Sequence, residues 1–396
     1  MDTGQEMDTG QVKEMDNKRE MGKKKEMDQA QENEKEVDKA QENEEDMDQA
    51  QKKQSNMDAQ ISEPSVEQGS KETHTEQKIQ NVHNDVINDV HNNVQNTDKA
   101  PAKTGPHRSG YVAIIGKPNA GKSTLLNALL GTKLSITTRK PQTTRHQIVG
   151  IHSDEDSQVI FLDTPGVINP EYELQKAMMA SVDRAKKDAD LILLIADPTD
   201  KKPGEEVLTL LKSLQKPILL IINKTDKARP EQVADMRNYM EDAVRPKRTL
   251  EVSALRHTGL TSLMQEVKQL LPPGPAFYPK DDLSEHPMRF FVSELIREQI
   301  FLLFHEEIPY SCTVEVVRYE EREEIDLITA DIIVNRKSQK GMLIGKGGSA
   351  IKRLGVQARQ SVEDFTGQRV FLDLHVKVRE KWREKEGWVR SLGYGS

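Results

Sequence analysis

Short apolar segments, separated by polar loops, recur along the chain from about residue 110 to its C-terminus. Four of them are uninterrupted hydrophobic runs, which are typical of strands buried on both faces of a parallel sheet. These runs are 111–115, 159–162, 191–196 and 218–222. The pattern also predicts helices at 124–130 and 260–271. It therefore predicts an α/β domain at 109–273 whose doubly wound sheet is mainly parallel.

The prolines and glycine at 272–275 break helical structure and begin a linker, after which the pattern changes. We predict helix 288–305, strands 312–319 and 325–334, a short helix, helix 349–365, strand 370–378 and a terminal helix around Trp382. Polar and apolar residues alternate at 325–327 and 371–376, so both of these strands are predicted to be half-buried. The order indicates a separate α+β domain at 288–396, joined to the first by a linker at 274–287.

The first 108 residues carry no such pattern. They are rich in Gln, Glu, Asp, Asn and Lys and include 25 acidic and 15 basic residues. Such a composition buries too little apolar surface to offset the entropy of an ordered chain, so we predict a disordered, acidic, low-complexity tail at 1–108. A ten-residue repeat at 26–33, 36–43 and partly 46–51 is favoured as a drifting extension without a specific role; an interaction tail or weak coiled coil is the alternative.

Composition narrows the remaining possibilities. Beyond residue 108 there are 42 basic and 40 acidic residues, so the acidic balance of the whole chain does not indicate what the folded part binds. Cys312 is the only cysteine, which excludes an intrachain disulfide and favours a reducing compartment. The hydrophobic runs are too short to cross a bilayer, and the acidic tail is unlike a transit peptide. We expect a soluble, cytoplasmic protein.

A glycine-rich loop after the first predicted strand matches a phosphate-binding motif. Residues 116–123 read GxxxxGK[ST] between a strand and a helix, where backbone N–H groups converge on phosphates at a helix N-terminus. Lys122 is expected to reach the β and γ phosphates, and the Ser123 hydroxyl to ligate Mg²⁺. The predicted nucleotide-binding residues of this loop are Gly116, Lys117, Pro118, Asn119, Ala120, Gly121, Lys122 and Ser123.

A second motif, DxxG, follows the strand at 159–162. The Asp163 carboxylate can hold Mg²⁺, usually through water, and the Gly166 N–H can meet the γ-phosphate, so loss of that phosphate would release the segment behind it. Taken alone, an Asp with Pro-Gly at a strand end is more often an ordinary turn. The residues predicted to bind nucleotide here are Asp163, Thr164, Pro165, Gly166 and Val167.

Residues that distinguish guanine from adenine follow the strand at 218–222. Asp226 can accept hydrogen bonds from the guanine N1–H and N2 amine, and an unpaired carboxylate would penalise the wrong base by about 10⁴-fold. Asn223 can bond the other edge, Lys224 can lie along the ring, and a backbone N–H near Ala254 can meet the guanine oxygen. The predicted base-binding residues are Asn223, Lys224, Thr225, Asp226, Ser253 and Ala254. Together the motifs predict a site that binds and hydrolyses GTP.

The second domain carries a GxxG loop at 345–348 between two predicted helices. Glycines there let a nucleic-acid backbone approach closely, while a helix N-terminus and Lys346 meet phosphate. The bare pattern is usually only a turn, but charge is sorted along this domain: 14 basic and 6 acidic residues at 335–396, against 2 basic and 9 acidic at 305–334. That asymmetry is typical of nucleic-acid binding. The predicted RNA-binding residues are Lys340, Gly345, Lys346, Gly347, Gly348, Lys352 and Arg353.

Three stretches resemble the Era family of GTPases. Residues 135–146 are similar to the family's first switch, 335–348 to its RNA-binding signature, and 376–394 to its C-terminal end; the resemblance covers 110–396. It implies that one of two adjacent threonines closes on Mg²⁺ in the GTP state, and Thr144 is favoured over Thr143. The predicted catalytic residues are Lys122, Thr144 and Gly166, and the predicted metal ligands are Ser123, Thr144 and Asp163.

Val167 follows DxxG at the position where Ras-type enzymes carry a glutamine that orients the attacking water. Era-like GTPases resemble this chain in having an apolar residue there. Because Val167 cannot hydrogen bond to water through its side chain, we predict slow intrinsic hydrolysis. The water is then oriented by backbone groups, by switch residues or by a partner, and the sequence leaves these three alternatives open.

The resemblance implies a GTPase with a type II KH domain, using GTP/GDP and Mg²⁺. It implies binding to single-stranded RNA near the 3′ end of 16S ribosomal RNA, and a nucleotide-gated role in 30S subunit assembly and 16S rRNA processing. It also implies a monomer with peripheral association at the inner membrane. Two alternatives stay open: an RNA-binding scaffold that holds GTP without turnover, and a membrane-associated signalling GTPase. RNA binding is favoured because the sequence contains no amphipathic anchor or lipidation motif.

Overall fold

The computed structural model describes residues 106–204, 208 and 216–395. The predicted disorder and the ten-residue repeat at 1–108 therefore lie, except for the last three positions, outside the described residues. Both folded domains belong to one compact unit of the chain, Ala102–Ser396. None of the helices within the described residues is long and apolar enough to cross a membrane.

Six strands form the sheet of the first domain, in the order β2-β3-β1-β4-β5-β6. Their bounds are β1 Arg108–Gly116, β2 Ile148–Ser153, β3 Ser157–Asp163, β4 Leu191–Ala196, β5 Ile218–Ile222 and β6 Arg248–Glu251. All neighbouring pairs are parallel except β2 with β3, which is antiparallel. The predicted doubly wound, mainly parallel fold is confirmed.

Helices cover both faces of this sheet. Their bounds are α1 Lys122–Leu130, α2 Glu173–Asp188, α3 Pro230–Val244 and α4 Leu260–Leu270. Val112 and Ile114 of β1 pack in the core beneath α1 and α4, whereas Ala113 and Ile115 pack in the core beneath α2 and α3. Because successive strand residues point to opposite faces, a strand covered on both sides is apolar throughout. This explains the uninterrupted hydrophobic runs of the sequence.

Several elements of the first domain differ from the sequence-based expectation. β1 begins at Arg108 rather than near Tyr111, and Arg108 forms a backbone bridge with Pro273. The sequence pattern did not indicate β2, α2 or α3. Gly150 interrupts the apolar pattern of β2 for a packing reason, since a Cβ at that position would lie 2.7 Å from Cδ1 of Leu130 in α1.

The second domain has a three-stranded sheet in the order β7-β8-β9, with β7 antiparallel and β9 parallel to the central β8. The bounds are α5 Met288–Leu303, α6 Ile308–Ser311, β7 Cys312–Glu320, β8 Asp326–Val334, α7 Lys337–Ile344, α8 Ser349–Thr366, β9 Val370–Val378 and α9 Glu386–Ser391, with 3-10 turns at Lys346–Gly348 and Trp382–Glu384. This order confirms the predicted α+β arrangement, with α6 as an unpredicted turn of helix.

The alternation at 325–327 predicted a half-buried strand, but β8 is mostly buried. That strand is the centre of its sheet and seven of its nine residues are buried, so the prediction of half-burial is wrong for β8, whereas the edge strand β9 exposes alternate side chains. The C-terminal segment also departs from expectation. Trp382 lies in a 3-10 turn and packs, with Val389 and Tyr394, against Leu174 of α2. The end of the second domain thus returns to the first.

Candidate functional site

A cavity of about 670 Å³ opens where the carboxyl ends of the parallel strands meet the loops behind them. Its size is that of a small-molecule site. The predicted residues that line it are Pro118, Asn119, Gly121, Lys122, Ser123, Thr144, Gly166, Asn223, Lys224, Asp226 and Ala254. The predicted residues absent from its lining are Gly116, Lys117, Ala120, Asp163, Thr164, Pro165, Val167, Thr225 and Ser253. The cavity therefore brings together residues of four motifs, namely the phosphate loop at 116–123, DxxG at 163–166 and the base-binding segments at 223–226 and 253–254.

The phosphate loop turns tightly into α1. Gly121 has φ 96°, and a Cβ on Gly116 would lie 2.5 Å from the Ile195 oxygen, so glycine is required at both positions. The Lys122 ammonium is 5% exposed and donates to the oxygens of Gly116 and Lys117, at 3.2 and 2.9 Å. Burial lowers the pKa of Lys122 to about 8, although Asp163 opposes this. A buried ammonium held by carbonyls alone is suited to receive phosphate.

Three side-chain oxygens converge at the start of α1. The Ser123 hydroxyl donates to Asp163 Oδ2 at 2.6 Å and lies 2.8 Å from Thr144 Oγ1. Asp163 is fully buried, burial raises its pKa, and its Oδ1 has no hydrogen-bond partner. An orphaned carboxylate oxygen beside two hydroxyls fits Mg²⁺, which prefers oxygen ligands and takes few carboxylates from protein when phosphates complete its shell.

The two candidate threonines are placed differently. Thr143 Oγ1 lies 2.7 Å from Thr138 Oγ1 and donates to the Lys140 oxygen at 2.8 Å, whereas Thr144 Oγ1 faces Ser123. Thr144 is thus the member of the pair that lies in the oxygen cluster. Its assignment as a metal ligand stays a prediction.

The DxxG segment packs directly on the phosphate loop. A Cβ on Gly166 would lie 2.6 Å from the Pro118 Cα, and the next N–H, that of Val167, donates to the Gly116 oxygen at 3.1 Å. The Val167 side chain is 8% exposed and packs in the core beneath α2 and α3. This side chain was expected to line the nucleotide site; instead it points into the core because it is apolar and the cavity wall there is backbone.

The base-recognition residues are already joined to one another. Asn223 donates to the Ala120 oxygen at 3.0 Å and accepts from the Ala254 N–H at 3.0 Å, so its amide ties two loops together rather than standing free for the base. Asp226 accepts from the Ser253 hydroxyl at 2.6 Å while lining the cavity. The Thr225 hydroxyl instead turns to the Val252 oxygen. The assignment of Asp226 to the guanine edge stays a prediction.

Several lining residues were missed by sequence reasoning. Leu255 is 59% exposed and lines the cavity next to Ala254, where an apolar side chain suits the flat face of a base. Phe301, Leu302 and His305 come from the second domain. These three residues reach the cavity only because the two domains pack together, so no local sequence motif could predict them.

The GxxG loop has the opposite character. Gly345, Gly347 and Gly348 all have positive φ, and a Cβ on Gly347 or Gly348 would meet nothing within 4 Å. Gly348 is the N-cap of α8, whose first N–H groups point towards the loop. The predicted basic residues around it are exposed, namely Lys340, Lys346, Lys352 and Arg353. Met342 of α7 and Val356 of α8 are also exposed.

Comparison with known proteins identifies both halves of the chain. The sequence model of a family described as 50S ribosome-binding GTPase matches residues 111–224, and that of the KH domain matches residues 307–383. GTPase ERA1, chloroplastic, of Zea mays is 44% identical over 297 residues, which are 73% of this chain and 71% of the relative. GTPase Era of Carboxydothermus hydrogenoformans is 39% identical over 292 residues, covering 73% and 98%.

Solved structures agree. An Aquifex aeolicus Era variant bound to GDP and AlF4⁻ matches with a TM-score of 0.70 and 36% identity, covering 73% of this chain and all of that one. Era in complex with MgGDPNP and nucleotides 1506–1542 of 16S ribosomal RNA matches with the same TM-score, identity and coverage.

Proposed function

Because this chain belongs to the Era family of GTPases, we propose that its GTP cycle controls binding to the 3′ end of small-subunit ribosomal RNA during subunit assembly. The chain is a GTP-hydrolysing enzyme with GTP, GDP and Mg²⁺ as its ligands. The observation that carries the RNA part is a relative bound at once to MgGDPNP and to 16S nucleotides 1506–1542, which this chain matches over that protein's whole length.

The nucleotide roles follow from the positions of the side chains. Lys122 would lie against the β and γ phosphates, and Asp226 would pair with the guanine edge. Ser123, Thr144 and the orphaned oxygen of Asp163 would hold Mg²⁺, which when bound neutralises charge on the transferring phosphoryl group. The Gly166 N–H would meet the γ-phosphate. Loss of that phosphate would then release Gly166 and Thr144 together.

Slow turnover is part of the proposal. The Val167 side chain is buried in the core and cannot orient water. Water would be positioned by backbone groups, by the first switch or by a bound partner, and hydrolysis would wait for that arrangement. A slow enzyme suits a timer, since RNA bound in the GTP state stays bound until hydrolysis occurs.

The RNA roles rest on the exposed GxxG loop. Open space over Gly347 and Gly348 admits a nucleic-acid backbone, and the N-terminus of α8 with Lys346 would meet its phosphates. Lys340, Lys352 and Arg353 would extend the positive surface. Small-subunit ribosomal RNA and the 30S subunit are the proposed partners.

The proposed setting is a monomer in the cytoplasm. A single free cysteine suits a reducing compartment, and peripheral association at the cytoplasmic face of the membrane is the second proposed location. Relatives from plants are named chloroplastic, so cell fractionation with an antibody to this chain is the direct test; recovery in an organelle would move the same function to that compartment.

Affinity for RNA in each nucleotide state tests the proposal. A single-stranded RNA with the 3′-terminal small-subunit sequence is titrated with protein that carries GDPNP, GDP or no nucleotide. We expect binding about tenfold tighter with GDPNP than with GDP, a typical coupling between two sites. An RNA of the same length and scrambled sequence is the control. Equal affinity in all three states would remove the gating, because a ligand that does not distinguish two states shifts nothing.

A further inference from the structure

The first switch, residues 135–146, is held from behind by the second domain. Arg145 is 3% exposed, and its guanidinium donates to the Cys312 oxygen at 2.7 Å and the Pro309 oxygen at 2.8 Å. Both acceptors lie beyond the linker, in α6 and at the start of β7. Phe301 of α5 lies beneath the same guanidinium, 6.0 Å away. A switch side chain is therefore buried inside the other domain.

Two further contacts hold the same loop along α5. Lys140 Nζ donates to the oxygens of Phe301 and Phe304, both at 2.5 Å, at the C-terminal end of α5 where carbonyls are unpaired. Glu298 is 2% exposed and accepts from the Thr137 N–H at 2.9 Å. Hydrogen bonds to charged groups are stronger than those between neutral groups. Arg145, Lys140 and Glu298 each contribute a charged group to the contacts that hold this loop.

Arg145 directly follows Thr144 in the chain, and Thr144 faces the proposed metal site. Thr144 and Arg145 are consecutive in a segment that is neither helix nor strand, and their side chains have different partners. Thr144 Oγ1 reaches Ser123 on one side, and the Arg145 guanidinium reaches the second domain on the other. Because the peptide bond between Thr144 and Arg145 is planar and leaves few soft dihedrals between them, anchoring the Arg145 guanidinium restricts the backbone that carries the Thr144 hydroxyl.

We propose that Arg145 is a positioning residue through which the second domain holds Thr144 in its Mg²⁺-binding place. The inference rests on the proposed function, because it explains how the GTP state and the RNA-binding domain are coupled. By reciprocity, whatever fixes the second domain tightens the magnesium site, and GTP with Mg²⁺ fixes the second domain. Leu302, which is 54% exposed in the nucleotide cavity, places the end of α5 within reach of the same ligand.

The test compares Arg145→Met with Arg289→Met. Arg289 is an exposed arginine in the first turn of α5, so its replacement controls for loss of an arginine. The affinity for a fluorescent GDPNP analogue is measured by titration at increasing Mg²⁺. For Arg145→Met we expect about a tenfold higher Mg²⁺ concentration for half-maximal binding and GDP affinity within about twofold of the parent. Arg289→Met should match the parent.

A second measurement separates positioning from a merely structural role. In Arg145→Met the ratio of RNA affinities in the GDPNP and GDP states should fall towards one, while RNA affinity without nucleotide stays at the parent value. Arg145→Lys should fall between, because an ammonium lacks the planar fork that reaches both carbonyls. If thermal unfolding shows that Arg145→Met is not folded, Arg145→Lys carries the same test.

The outcomes are distinct. An unchanged Mg²⁺ requirement in both Arg145→Met and Arg145→Lys would overturn the inference, whatever the RNA affinities are. If the parent protein binds RNA equally in all states, the proposed gating fails, and the Mg²⁺ titration still decides the role of Arg145. A raised Mg²⁺ requirement with a lost affinity ratio supports both.

Discussion

The nucleotide cavity and the GxxG loop are built in opposite ways. In the cavity, Lys122 and Asn223 are buried and their polar atoms are already bonded within the protein. At the loop, Lys346 is exposed and a Cβ on Gly347 would meet nothing within 4 Å. The first arrangement is preorganised for one rigid ligand in one pose. The second leaves room for a flexible nucleic-acid backbone, and contacts to the bases elsewhere must then recognise the RNA sequence.

The preorganised site should be the more sensitive to small changes, and base recognition should show it most. Asp226→Asn keeps the volume and the contact with Ser253 but loses the charge. We expect GTP affinity to fall by about 10⁴-fold, with xanthine nucleotides then preferred. Competition binding with GTP and XTP measures this, with Asp242→Asn on the exposed side of α3 as control. A variant that still prefers GTP would refute the role of Asp226.

Removal of the buried ammonium should have the next largest effect. Lys122→Ala leaves the carbonyls of Gly116 and Lys117 without their donor and removes the charge that faces the phosphates. We expect GTP hydrolysis to fall by about 10³-fold, the cost of losing one preorganised charge-stabilising group. Single-turnover assays compare it with Lys187→Ala, an exposed lysine of α2. Parent-like hydrolysis would contradict the assignment.

The open loop should tolerate change except where RNA itself must pass. Gly347→Asp adds a negative charge and should weaken RNA binding by about tenfold while leaving hydrolysis unchanged. Gly367→Asp is a matched control, because Gly367 is exposed, has a similar positive φ and lies at the other end of α8. If both variants bind RNA like the parent, the loop is structural.

The last effect concerns stability, not binding, at the junction of the two regions. His146 stacks on Tyr394 with ring centroids 4.2 Å apart, and burial lowers its pKa to about 4, with Glu294 opposing and Arg297 and Arg145 contributing. The histidine of the unfolded chain titrates near pH 6.5, so between about pH 6.5 and 4 the unfolded state binds a proton that the folded state does not. The free energy of unfolding should therefore fall as the pH drops through this range. Since one pKa unit corresponds to about 1.4 kcal/mol, the full loss across this range should be on the order of 3 kcal/mol.

Thermal unfolding at several pH values, for the parent and for His146→Asn, measures this contribution. The variant should show a flatter dependence on pH between about 4 and 6.5. Identical pH profiles would mean that other groups govern acid stability.

Sequence reasoning succeeded where the signal is local. The runs at β4 and β5 were predicted to the residue because strands covered on both faces are apolar throughout. The four nucleotide motifs were placed together because parallel strands bring their carboxyl ends to one edge. By contrast β8 reads as alternating at its start, and only its central place in the sheet explains why it is buried.

What escaped the sequence depends on contacts between distant segments. Arg145 looks like one more basic residue in a polar loop, and its acceptors lie more than 160 positions away along the chain. Leu302 reaches the nucleotide cavity only because α5 packs against the first switch. Val167 was expected in the nucleotide site from its place after DxxG, yet an apolar side chain beside a backbone wall turns into the core.

The proposed function requires that nucleotide state decides whether this protein holds the 3′ end of small-subunit ribosomal RNA. Crosslinking of the full chain to ribosomal RNA, followed by sequencing, in separate samples with GDPNP and with GDP, tests target and gating together. We expect crosslinks at the 3′ end of small-subunit ribosomal RNA with GDPNP and their loss with GDP. Crosslinks of equal strength at the same positions in both samples, or none at that end, would refute nucleotide-gated binding to this RNA.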